Sequence, residues 1–99
     1  MSAPSLASTI ARLKDAVAAK WDTHATHFRD EVRPLALDLT QRIAINRLRM
    51  ARGDDTTTSD IALQAEASNM LVEERVALAR VANEALLDSL LTVVVEILT

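Results

Sequence analysis

The stretch SDIALQAEASNMLVEERVALARVANEALLDSLLTVVVEILT, residues 59–99, decides the fold. It holds no Gly and no Pro and is dense in Ala, Leu and Val, so it is predicted to form one long helix over 59–98. One stripe runs Ala62, Ala65, Asn69, Val72, Val76, Ala79, Asn83, Leu86, Leu90, Val93, Ile97, almost entirely at alternating three- and four-residue steps, a heptad-like seam. A second, Met70, Ala77, Leu87, Leu91, Val94 and Leu98, widens the apolar surface toward the C-terminus. The polar strip there thins to Glu84, Asp88, Thr92 and Glu96. A helix apolar on nearly every side has to be covered. The expected cover is the rest of the chain together with a second copy, the seam being Val76, Ala79, Asn83, Leu86, Leu90, Val93 and Ile97. Residues 91–98 also have high β propensity, which makes a terminal strand the competing assignment.

Composition limits what surrounds this helix. In 99 residues the hydrophobic fraction is 49% and the aromatic fraction 2%, so the core is aliphatic. One Gly and two Pro supply almost no turns, which points to an all-α single domain over residues 1–99. Without Cys there is no disulfide, thiolate metal site or Cys nucleophile. The most apolar tract, 85–98, is interrupted by Asp88 and Glu96, so no membrane span is expected. No basic region followed by an apolar run opens the chain, so no secretory signal is expected, and a cytoplasmic or virion setting fits. Charge is unevenly divided. Residues 1–52 carry nine Lys or Arg against five Asp or Glu, and residues 53–99 carry two against nine. Oppositely charged halves are suited to packing against each other.

The first half reads as an arm over 4–52. Pro4, with Ser2 or Ser5 as cap, opens a helix in which Leu6, Ile10, Leu13, Val17 and Trp21 recur at helical spacing. Ala25, Phe28 and Val32 continue the pattern, and Pro34 predicts a kink or short break at 33–34. Beyond it lie two apolar stripes, Val32, Leu35, Leu39, Ile43, Met50 on one side and Leu37, Ala44, Leu48, Ala51 on the other. A helix with two apolar sides needs two neighbours, a further argument for self-association. Gly53 caps the arm, Gly53-Asp54-Asp55 forms the turn, the loop covers 53–58, and the second arm covers 59–98. At about 1.5 Å per residue, each arm of such a long antiparallel hairpin would measure about 60–70 Å. A fold-back at Trp21 or Pro34 would give a three- or four-helix bundle instead. In length and hairpin form the chain is similar to the small secreted helical hairpins with a Trp-x-Gly turn. Trp21, however, is followed by Asp22-Thr23 and lies far from Gly53, so membership is not implied.

Few residues offer chemistry. His24 and His27, three apart, share a helix side and are the weak metal candidates, but a third ligand, Asp30 or Glu31, would need the chain to bend or a second copy, and no Glu-x-x-His is present. Arg42, Arg47, Arg49 and Arg52 form the one basic cluster. Without net basicity or stacking aromatics no nucleic-acid partner is expected. Glu73, Glu74, Glu84 and Asp88 are read as solvated acids on a helix surface. Asn46, Asn69 and Asn83 interrupt apolar stripes, and Asn83 is read as a register-setting seam residue. No catalytic residue or cofactor is assigned. The expected function is a non-enzymatic structural or interaction subunit that forms a helical bundle or coiled coil on oligomerisation. A phage particle or secretion apparatus suits its size and shape. The alternative is a helical adaptor or inhibitor that covers its C-terminal helix with a partner protein.

Overall fold

Ser5, one of the two expected caps, opens the first helix by accepting a hydrogen bond from Ser8 N at 3.1 Å. Helix α1 runs Leu6–His24, α2 Arg33–Ala51, α3 Thr57–Ala67 and α4 Val72–Leu98. The computed structural model describes the backbone of residues 5–98 and the side chains of residues 5–93, so Pro4, Val94, Ile97 and Leu98 of the sequence patterns fall outside the described side chains. Four helices pack against one another, and no strand occurs among the described residues. Residues 91–98 are helical.

The first arm turns back on itself between α1 and α2, the fold-back that was the alternative to a kinked long arm. After α1 a single 3-10 turn over Ala25–His27 leads to Phe28, whose extended backbone swings the ring into the core. Trp21 stacks on it at 5.3 Å between centroids. Arg33 ties the corner together, donating from Nε to Ala25 O at 3.1 Å and pairing with Asp30 at 2.6 Å. Pro34 lies in the first turn of α2. A ring without an N–H costs nothing there, because first-turn N–H groups have no intrahelical partner. Proline therefore starts a helix here; the sequence placed a kink or short break at 33–34, and the break lies before it, between His24 and Arg33.

The second arm is also two helices, in place of the expected single helix over 59–98. Residues 68–71 break it without Gly or Pro. Ser68 Oγ donates back to Ala65 O at 2.7 Å, and Met70 turns inward to be buried. Glu74 then reaches back from the third position of α4 to accept from Leu71 N at 3.3 Å, half of a capping box. The long arms consequently do not form. The longest dimension of the molecule is 44 Å, about the length of α4 alone at 1.5 Å per residue.

The turn between the halves matches the sequence closely. Gly53 has φ +89°, Asp54 N donates to Arg49 O at 3.0 Å, and Gly53 N to Met50 O at 3.0 Å, a Schellman arrangement. Asp55 accepts from Thr57 N and Thr57 Oγ1, so α3 starts at Thr57, two residues before the expected start. Those bonds hold the Asp55 carboxyl below its ordinary range.

Two core clusters result. Where α1, α2 and α4 meet lie Leu13, Val17, Ala44, Leu48, Val81, Ala82 and Ala85. Toward the connections lie Phe28, Ala36, Leu39, Leu63, Met70, Ala77 and Leu78, with Ile43 packed against both clusters. The alanines let helix axes approach, and each buried Leu or Val contributes about 1.5–3 kcal/mol. Helix α2 touches α1, α3 and α4: Ala44 and Leu48 pack with α1 and α4, and Leu39 lies in the cluster with Leu63 of α3 and Leu78 of α4, while Leu35 and Met50 stay exposed. That removes one argument for a second copy: the second neighbour of α2 is inside the chain. Between the halves, Lys20 pairs with Asp88 at 3.1 Å, Arg29 with Glu74 at 2.8 Å and Arg42 with Glu66 at 2.7 Å, so the opposite charges do meet within the fold.

Candidate interaction surface

Helix α4 sorts its residues by angle. Glu74, Ala77, Leu78, Val81, Ala82, Ala85 and Ser89 are buried and form its inner side. At 100° per residue, Val72, Val76, Arg80, Asn83, Leu87 and Leu91 lie on the opposite side, and all six are exposed. The four apolar members are between 54% and 63% exposed. These outward residues form a strip whose two ends are apolar, Val72 with Val76 and Leu87 with Leu91, and whose middle is Arg80 and Asn83.

The residues expected to form a self-association seam divide across this boundary. Val76 and Asn83 are exposed, so Asn83 is solvated within the chain and occupies no intrachain seam. Ala79, Leu86, Leu90 and Val93 are half-buried, and Leu86 and Leu90 pack against the core cluster of α1 and α2. Ile97 lies outside the described side chains. Val72 lay in the longer heptad-like stripe but not among the seam residues. Leu87 and Leu91 lay in the second stripe. Val72 and Leu90 share one azimuth of α4, eighteen residues or five turns apart, so what separates them is which neighbouring helices reach that azimuth and not the spacing of the stripe.

Three contacts fix the orientation of α4. Glu74, 2% exposed, accepts from Arg29 Nε at 2.8 Å, Arg29 N at 3.3 Å and Leu71 N at 3.3 Å. Its reading as a solvated surface acid is therefore corrected: it is a buried clamp between the α1–α2 corner and the start of α4. The Arg29 hydrogen bond leads in holding the Glu74 carboxyl below its ordinary range, aided by the two backbone N–H groups and opposed by burial. The same pairing raises the Arg29 guanidinium. Further along, His24 Nε2 lies 3.2 Å from Glu84 Oε2, and Lys20 reaches Asp88. Arg80, between these contacts, makes no ion pair among the described residues.

The other sequence candidates are accounted for structurally. The rings of His24 and His27 are 5.9 Å apart; His24 is half-buried against α4 and His27 is exposed. His24 Nδ1 is buried without a hydrogen-bond partner in the protein. Among the described residues, no three or more His, Cys, Asp or Glu side chains converge as a metal site. In the basic cluster, Arg42 is engaged by Glu66 and Asp38, and its guanidinium is raised, chiefly by the Glu66 hydrogen bond. Arg52 pairs with Asp54 at 3.5 Å. Asn46 is buried and donates to Asp60 at 3.1 Å, while Asn69 is exposed in the α3–α4 turn. Among the described residues no helix is long and apolar enough to cross a membrane. No family model, curated protein or solved structure matches the chain.

Proposed function

We propose that the protein is a non-enzymatic interaction subunit that self-associates through the outward side of α4. The observation that supports this is the exposure of Val72, Val76, Leu87 and Leu91 on the side of α4 opposite its core contacts. Covering such residues releases about 25 cal/mol per Å² of apolar area, and a second amphipathic helix is the simplest cover. The contacts of Glu74, Glu84 and Asp88 hold the strip on a rigid element, which limits the ordering cost of association.

Light scattering at micromolar concentration tests the proposal. The wild-type chain should run as a defined oligomer. A variant carrying Leu87→Asp and Leu91→Asp should run as a monomer with unchanged helicity, since neither residue supports the core. A wild-type monomer at tens of micromolar overturns self-association and leaves the strip to a different protein, as an adaptor would use it.

A further inference from the structure

We propose that two copies pair through α4 in antiparallel fashion, about a two-fold axis level with the Val81–Ala82 peptide. This rests on self-association through α4 and adds its direction and register. The outward residues Val72, Val76, Arg80, Asn83, Leu87 and Leu91 are spaced four, four, three, four and four apart. That order is the same read from either end, which is what an isologous antiparallel contact requires. Val72 then lies level with the partner's Leu91, Val76 with the partner's Leu87, and Arg80 with the partner's Asn83. All of the apolar members find apolar partners, and the two polar members face each other at the centre.

Charge selects the same direction. Arg80 and Glu84 are one turn apart and share one flank of the strip. A two-fold axis across antiparallel helices brings like flanks together. Arg80 therefore comes within one residue of level with the partner's Glu84, and symmetry makes the pair twice. In a parallel two-fold pair that flank falls on opposite sides of the contact in the two copies, so Arg80 does not meet the partner's Glu84 and the ion pair does not form. The groups are available. Arg80 has no ion pair among the described residues. Glu84, with its side chain 41% exposed, contacts His24 through Oε2 and has Oε1 to offer.

The chain contains no Cys, so single cysteines on the exposed strip report the geometry with a short bis-maleimide. Asn83→Cys should cross-link to itself. Val72→Cys alone should not, because its two copies would lie about 28 Å apart along the axis. A mixture of Val72→Cys and Leu91→Cys should cross-link. Self-linking of Val72→Cys overturns the antiparallel register while leaving self-association standing. An oligomer by light scattering that links at none of these positions also overturns the register, and a monomer overturns both proposals. Charge exchange tests the ion pair. Arg80→Glu should weaken the dimer about tenfold, and Arg80→Glu with Glu84→Arg should recover most of that loss. A double exchange no tighter than the single overturns the register.

Discussion

Glu74 joins the α1–α2 corner to the start of α4. Its carboxylate receives hydrogen bonds from Arg29 and from the N–H that begins α4, so two connections far apart in sequence share one acceptor. Replacing it by Ala removes the bonds from Arg29 and from Leu71 N and should destabilise the fold, by about 1–2 kcal/mol since both partners reach water, read from the denaturant midpoint. Its carboxyl is held below the ordinary glutamate range in the folded state. A depressed folded value means that the stabilisation is complete above the unfolded value and is lost as pH falls through the folded one. Stability should therefore drop through the acid range below the ordinary glutamate value, and the drop should be shallower in Glu74→Gln. Gly53 is a second residue-scale case. A Cβ added there meets nothing within 4 Å, so the cost of Gly53→Ala is the left-handed backbone alone. That is about 1–2 kcal/mol, measurable as a lowered thermal midpoint without loss of helix content.

At the scale of the element, α4 has an inner side that holds the fold and an outer side that does not. Neighbouring leucines should therefore respond differently to the same substitution. Leu90 packs on the cluster of Leu13, Leu48 and Ala85, so Leu90→Asp buries a carboxylate and should unfold the protein, seen as lost ellipticity at 222 nm. Leu87 is 60% exposed, and Leu87→Asp should leave ellipticity intact. If Leu87→Asp unfolds the chain as readily as Leu90→Asp, the orientation of α4 described above is wrong. The periodicity of α1 and α2 was legible because their apolar spacing and their cap residues agree. The break at 68–71 was not, because Ser68 and Asn69 disfavour a helix only mildly and Met70 and Leu71 favour one. What stops the helix is the burial of Met70 and the reach of Glu74, both tertiary events.

On the scale of the whole molecule, the bundle closes only when the halves meet. The cluster at the centre of α1, α2 and α4 draws Val81, Ala82 and Ala85 from the second half, and the other cluster draws Leu63, Met70, Ala77 and Leu78 from it. A fragment ending at Arg52 keeps α1 and α2 without the helix that both contact most. It should be disordered or aggregated, shown by poor amide dispersion in an NMR spectrum; a well-dispersed spectrum of residues 1–52 would contradict a single cooperative core. Adding residues 53–99 as a separate peptide should restore helicity, since the interhalf ion pairs and both clusters form between the two pieces.

By itself the sequence determined that the protein is helical, where its first helix begins, that Gly53 turns the chain, and that the basic first half faces an acidic second half. Each of these follows from local chemistry: propensity, caps, one positive φ and the sign of charge. Tertiary structure alone decided that four helices form where two long arms were expected, that Glu74 is buried, and which side of α4 is left uncovered. These depend on contacts between residues tens of positions apart, and helical spacing is the same whether an apolar stripe meets its own chain or water.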